Sequence, residues 1–373
     1  MNISFDAKRY FHNNRGLGNY SRDVIRLLAS YYPENNYYLF NPVRNENSYP
    51  VYENTQVVYP DSFFYKKFSG LWRSKGCVKQ IEYLHTDIFH GLSQELPFGI
   101  HKTKIKTVVT LHDAIFMRYP ELYDRLYRKI FIQKNKYSVQ AADSIIAISE
   151  QTKQDFITFF DADPNKIRIV YQGCNPIFRQ NVTNEQRKEV REKYQLPEGF
   201  LLNVGAIEKR KNIELIIRAL SVEKIDLPLV VIGNKTAYYD EMKLLIKSLG
   251  IEKQVYFYHN VPTKDLPVIL SMASVFIYPS VFEGFGIPIL EALCTRTPVI
   301  TSHGSCFKET GGDAAWYVSS DNPEEMAVAI QTICSDRQLR QQMIEKGQMH
   351  AANFSDDIIA ENLMQVYIDT CKK

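Results

Sequence analysis

Short runs of β-branched, aromatic and aliphatic residues alternate along the whole chain with longer stretches in which apolar positions recur at helical spacing. This is the pattern of βα units that build parallel sheets. The first series predicts strands at 2–6, 37–40, 87–90, 106–111, 144–148 and 167–171, with helices between them that include 18–30 and 151–160. A polar stretch at 175–198 then interrupts the pattern; it holds Pro176, Pro197 and a charged segment, 184–193, that reads as a solvent-exposed helix. Behind it a second series predicts strands at 200–204, 229–233, 254–258, 275–278 and 298–301, trailed by helical patterns such as 213–220 and 239–249. The pattern predicts two parallel-sheet α/β domains, 1–175 and 199–355, with 176–198 as the linker.

Bulk properties narrow the reading. At 373 residues the chain is longer than one hydrophobic core usually serves. Its 45% apolar and 23% charged residues are an ordinary globular balance, and no low-complexity tract argues for disorder. The cysteines (Cys77, Cys174, Cys294, Cys306, Cys334 and Cys371) form no C-x-x-C pair and sit at no zinc-finger spacing from a histidine, so they read as reduced thiols. The first residues carry neither a basic segment nor a long apolar one, and nowhere do about 18 apolar residues run together, so a cytoplasmic location is expected. Net charge is +3 but unevenly spread: residues 1–178 hold 23 Lys and Arg against 17 Asp and Glu. In that basic half Lys66 and Lys67 interleave with aromatics at 63–68, as do Arg125, Arg128 and Lys129 at 123–131. The texture fits either a solvated helix face or peripheral docking on an anionic membrane surface. No nucleic acid is expected as a partner.

In open parallel sheets ligands bind beyond the carboxyl ends of the strands, so residues just after each strand matter most. The segment 278–293 runs from a strand through Gly284-Phe285-Gly286 into a helix opened by Ile287-Pro288. Proline is tolerated in that first turn, and the helix N-terminus presents unpaired N–H groups and a positive dipole end, as a diphosphate requires. Glu283 before the turn and Glu291 one turn inside it can accept hydrogen bonds from two hydroxyl-bearing parts of one ligand. Arg210 and Lys211 follow the strand 200–204, where fixed cations can stabilise charge that develops on a departing phosphate. Gly16 and Gly18 open the first long helix, where backbone N–H groups can approach a phosphate or a sugar. A dinucleotide fingerprint is excluded there: about ten residues separate the strand from Gly16, and Ser21 stands at the third glycine position. His112 and Asp113 end the apolar strand 106–111, and His90 ends another at the same sheet edge. Asp161-Ala162-Asp163 matches a metal-binding D-x-D but follows a helical stretch and runs into Pro164, so it reads as a turn.

The segment 283–291 resembles the E-x(7)-E motif of the retaining family 4 glycosyltransferases, which have the GT-B fold. Val204-Gly205-Ala206-Ile207-Glu208-Lys209-Arg210-Lys211-Asn212 is similar to the segment that opens that family's nucleotide-binding domain. Asp87 to Gly91, Leu111-His112-Asp113, Ile148 to Lys153 and Pro164 to Gly173 are similar to its landmarks in the first domain. The likeness covers nearly the whole chain. One departure is Gly205-Ala206, where many relatives have Gly-Arg; Arg210 is the candidate for the missing guanidinium.

The resemblance implies two Rossmann-like domains facing each other across a cleft, with the final helix, within 356–373, packing back on the first. It implies that a nucleotide diphosphate sugar is held by Gly205, Arg210, Lys211, Glu283, Gly284, Phe285, Gly286, Ile287 and Glu291, with Gly16 and Gly18 on the donor side. His112 would contact the donor sugar near the reacting carbon and would form the catalytic group with Glu283, Arg210 and Lys211; Asp113 and His90 would lie on the acceptor side. No cofactor or metal is implied. The Arg-Lys-Asn variant resembles bacterial mannosyltransferases of polysaccharide assembly, which favours GDP-mannose as donor and a glycan or lipid-linked glycan as acceptor. Two other readings keep the fold: a nucleotide sugar 2-epimerase and a nucleotide sugar binding module without turnover.

Overall fold

The computed structural model describes residues 1–44 and 49–372. The chain divides into two compact units, Met1–Gly173 together with Ser355–Lys373, and Cys174–Phe354.

The first unit is built on a seven-stranded sheet in the order β3-β2-β1-β4-β5-β6-β7. Its strands are β1 (Asn2–Asp6), β2 (Asn36–Phe40), β3 (Thr55–Val58), β4 (Ile88–Gly91), β5 (Lys106–Leu111), β6 (Ser144–Ala147) and β7 (Ile167–Ile169). Every pairing is parallel. Helices cover both faces of such a sheet, so its central strands read as continuous apolar runs: β4 and β6 are buried at every position. The helix Gly16–Tyr31 buries Tyr20, Val24, Leu27 and Leu28.

The C-terminal helix Asp356–Lys372 packs on that helix and on β5 and β6. It is anchored by Arg26, which bridges Asp23 (2.6 Å) and Asp356 (2.7 Å), and by Thr370, which donates to Ser144 Oγ at 2.8 Å. Residue 373, the end of the expected range, lies outside the described residues.

The second unit has a six-stranded parallel sheet in the order β10-β9-β8-β11-β12-β13. These are β8 (Leu201–Val204), β9 (Leu229–Ile232), β10 (Val255–Tyr258), β11 (Val275–Tyr278), β12 (Val299–Ser302) and β13 (Ala315–Val318). The stretch expected as a linker packs with this unit. Its helix Asn184–Tyr194 starts at a capping box between Thr183 and Gln186, and Lys193 pairs with Asp265 at 2.7 Å.

The D-x-D stretch forms a turn: Asp161 caps the helix Glu150–Phe160 in the left-handed region (φ 51°), and Asp163 accepts the Asn165 N–H at 2.9 Å. Among the described residues no helix is long and apolar enough to cross a membrane.

Candidate functional site

In the second unit the ends of β8 and β11 are neighbours, which brings two distant pieces of sequence together. Beyond β8 a short turn, Lys209–Lys211, presents Arg210 and Lys211; beyond β11 the chain runs through Ser280 and Glu283 to the helix Ile287–Cys294. The Glu283 carboxylate is the hub. Its Oε1 is 2.6 Å from Lys211 Nζ, 2.6 Å from Arg210 Nη1 and 2.5 Å from the Ser280 hydroxyl. Burial pushes the Glu283 pKa up, but Lys211 and Arg210 outweigh it and hold the group below the usual carboxylate range, so it stays ionised.

The two cations are braced on their other sides. Lys211 also donates to the Tyr278 hydroxyl at 2.6 Å, and Arg210 reaches the Phe282 carbonyl (2.7 Å) and the Glu208 carboxylate (2.7 Å). Ser305 accepts the Glu283 N–H at 3.1 Å and donates to the Glu283 carbonyl at 2.9 Å, which fixes the loop. Tyr278, Ser280 and Ser305 were not singled out from the sequence; nothing in their spacing marks them. Gly205 follows β8 beside the Lys211 stem. Its carbonyl lies so close to β9's end that a Cβ on Gly233 would stand 1.8 Å from it.

Gly286 takes the left-handed conformation (φ 88°) ahead of Ile287, and Pro288 fills the first turn. The amides of Gly286 and Ile287 meet no protein acceptor among the described residues, and they open the helix that carries Glu291. The Phe285 ring turns inward against Phe354 (5.7 Å between centroids), so only its backbone borders the loop with Gly284. Glu291 is half-buried, and its carboxyl has no hydrogen-bond or ionic partner among the described residues. Burial, with Cys294 as second cause, pushes it up to about 8. A carboxyl left without partners at the head of such a helix is available to ligand hydroxyls.

In the first unit His112 lies at the end of β5. Its Nε2 donates to the Leu92 carbonyl at 2.8 Å, the Tyr20 ring meets it edge-on at 4.7 Å, and burial lowers its pKa to about 4. The imidazole is therefore neutral at pH 7, with its tautomer set by Leu92 and Nδ1 left as an acceptor. Asp113 accepts the Ile115 N–H at 3.1 Å, a capping contact.

His90 does not have the position expected of it. It is fully buried, with Nδ1 2.7 Å from the Tyr367 hydroxyl and Nε2 2.8 Å from Thr110 Oγ1. Both nitrogens are spent inside the core, so an acceptor contact is not open to it. Gly18 is also corrected: its N–H already donates to the Arg15 carbonyl at 2.9 Å, and a Cβ there would stand 1.7 Å from the Asn13 carbonyl oxygen. Its glycine serves close packing of the preceding loop. Gly16, exposed and with no atom within 4 Å of a notional Cβ, keeps an open approach.

The basic and aromatic stretches lie on the surface of this unit. Phe63 is 84% exposed and Leu126 68%, and Tyr127 and Ile130 are also exposed; Arg128, however, turns back to the Phe116 carbonyl at 2.6 Å.

Comparison with known proteins agrees in both halves. Residues 16–177 match the family described as Glycosyltransferase Family 4, and residues 186–350 match Glycosyl transferases group 1. The chain is 25% identical over 373 residues to O-antigen chain mannosyltransferase B of Escherichia coli, covering 95% of this chain and 96% of that protein. It is 28% identical over 308 residues to the N-acetylgalactosamine-N,N'-diacetylbacillosaminyl-diphospho-undecaprenol 4-alpha-N-acetylgalactosaminyltransferase of Campylobacter jejuni, covering 81% and 80% of the two chains. Among solved structures, Anabaena Alr3699/HepE in complex with UDP superposes with a TM-score of 0.75 at 15% identity, covering 99% of each chain. With two parallel-sheet units of this order and both family matches in place, the chain belongs to the group 1, family 4 glycosyltransferases and is a glycosyltransferase of GT-B type.

Proposed function

We propose that the chain is a retaining, metal-independent hexosyltransferase that moves mannose from GDP-mannose to a glycan or lipid-linked glycan, working from the cytoplasmic face of a membrane to which it binds peripherally. The observation that carries the reading is the unpartnered Glu291 carboxyl in a helix whose first amides, at Gly286 and Ile287, are open. That set fits a nucleoside diphosphate, with the ribose diol on Glu291 and the phosphates on the helix N-terminus. Gly205 leaves the backbone accessible beside Lys211, and the loop Gly284-Phe285 lies between Glu283 and the amides. Gly16 borders the donor in the first unit, and Asp113 stays a candidate on the acceptor side.

In this reading the bond from the sugar's anomeric carbon to the β-phosphate oxygen breaks while the acceptor hydroxyl adds from the same face. Its proton passes to the departing phosphate oxygen. Lys211 and Arg210 stabilise charge that grows on that oxygen, Glu283 fixes both cations and meets the sugar, and neutral His112 accepts a sugar hydroxyl through Nδ1. Positive charge on the leaving group thus comes from side chains and helix amides. The Escherichia coli relative, named as a mannosyltransferase, supports mannose as the sugar, whereas the neighbour holding UDP supports a uridine sugar as the second reading. The Campylobacter relative, named for an undecaprenol diphosphate acceptor, supports the lipid-linked class.

A panel of GDP and UDP sugars, read first by thermal stabilisation and then by release of nucleoside diphosphate with membrane extracts as acceptor source, tests this. Acceptor-dependent GDP release with EDTA present is the expected result. Epimerised sugar without nucleotide release, or donor binding without turnover, would replace transfer by one of the two other readings.

A further inference from the structure

At the carboxyl end of β1 the Asp6 carboxylate is gripped by Arg73 through Nε (3.0 and 3.1 Å) and Nη2 (2.5 Å). Arg73 continues through Nη1 to Glu95 at 2.8 Å, and Glu95 also takes Lys134 at 3.0 Å. Arg73 and Lys134 therefore neutralise both carboxylates. The chain then adds two more cations immediately after β1, Lys8 and Arg9. Both are half-buried, and neither side chain makes a hydrogen bond or ion pair among the described residues. Arg9 Nε is closed off from solvent without an acceptor. Burial, then Arg73 and Arg9, lower the Lys8 pKa, outweighing Glu95 and Asp6; Arg9 also acts on His112.

The backbone that carries this pair is itself held in place. The turn Lys8–His12 lies against the helix Gly16–Tyr31, closely enough that Gly18 admits no side chain, and Arg22 Nη1 ties down the carbonyls of Tyr10 (2.8 Å) and Asn13 (3.0 Å). Two cations on successive residues, close enough for Arg9 to act on Lys8, partly desolvated and short of counter-charge, cost the empty fold free energy that a bound anion offsets. They stand at the carboxyl edge of a parallel sheet, where ligands enter such folds.

We propose that Lys8 and Arg9 bind a phosphoryl group of the acceptor, whose chemical class is then an organic phosphate or diphosphate ester. The proposal rests on the transferase reading above and refines its lipid-linked acceptor. The second unit brings its own cations, Arg210 and Lys211, for the donor's diphosphate, so the anion met in the first unit is assigned to the other substrate.

Calorimetric titration with farnesyl diphosphate, farnesol and GDP or UDP tests the assignment on the full chain. Wild type should bind farnesyl diphosphate at least tenfold more tightly than farnesol. Lys8→Gln with Arg9→Gln should lose that preference by tenfold or more, Arg9→Lys should keep most of it, and nucleoside diphosphate affinity should stay within twofold throughout. Equal binding of the diphosphate and the alcohol to wild type, or an unchanged preference in the double variant, overturns the proposal. So does nucleoside diphosphate affinity that falls in step, because the pair would then serve the donor. Failure of the transferase reading shows separately, as wild type that binds neither GDP nor UDP.

Discussion

A half-buried carboxyl with no partner leaves a signature in pH. The Glu291 value of about 8 lies above its ordinary 4.5, so between those values the folded chain holds a proton that the unfolded chain has lost. Stability from this group is complete below the lower value and is lost as pH rises through the upper one. Glu291→Gln should therefore flatten the fall of Tm between pH 5 and 8; identical slopes in variant and wild type would remove Glu291 as the cause. If a ribose diol prefers the ionised carboxylate, GDP binding at pH 7 releases protons in wild type but not in Glu291→Gln. Glu291→Ala should weaken nucleoside diphosphate binding by roughly 1–3 kcal/mol through lost charge-assisted hydrogen bonds. Lys211→Ala belongs to a different class: charge on the leaving oxygen grows in the transition state, so kcat should fall by about tenfold or more while donor KM moves little. A rise in KM alone would make Lys211 a ground-state anchor. That Glu283 follows β11 and Arg210 and Lys211 follow β8 was legible in the strand pattern; that the three pair with one another was not, because the contacts join distant pieces of sequence. Ser280 and Ser305 were not legible either, since a serine that fixes a loop looks like any other. His90 was misread because position at a strand end does not say which face a side chain takes. On β4 it faces the Tyr367 side, while Phe89 beside it joins the Trp72 cluster.

The elements were read best where burial is complete. Predicted strands matched the ten central and outer strands with a strong apolar signal and the short β7, but β3 and β13 went unseen. Both are edge strands with one neighbour each, and their residues are mostly half-exposed; β10, an edge strand of the same exposure, was read from its run of β-formers, Val255 to Tyr258. The two glycines of the first long helix separate by the space around them. Gly18→Ala forces a methyl onto the Asn13 carbonyl, so the Lys8–His12 turn must move; a loss of roughly 1–3 kcal/mol, seen as a lower Tm, is expected. Gly16→Ala meets nothing, so Tm should hold while transfer falls if a ligand approaches its amide. Unchanged activity in a stable Gly16→Ala chain would take Gly16 out of the donor site.

At the scale of the molecule, two parallel-sheet units follow from periodicity alone, whereas the assignment of the last helix to the first unit came only from family likeness, because an amphipathic helix does not name its partner. The surface of the first unit carries the membrane expectation. The chain should sediment with anionic vesicles at low salt and be released as salt screens Lys66, Lys67, Arg125 and Lys129. Phe63→Ser with Phe64→Ser should weaken that binding, and no sedimentation at low salt would point to a water-soluble acceptor. Removing residues 355–373 should abolish the thermal transition of the first unit while the second, continuous in sequence, keeps its own; loss of both together would show that the units do not unfold separately. The discontinuity also sets an order of events on the ribosome. Tyr367 and Thr370 complete the interior of a unit that starts at Met1, so the half translated first is finished last. At roughly 5–20 residues per second, its sheet waits tens of seconds for the missing helix, during which the second unit is the first able to close. Until then His90 and the neighbouring face of the Gly16–Tyr31 helix stand uncovered.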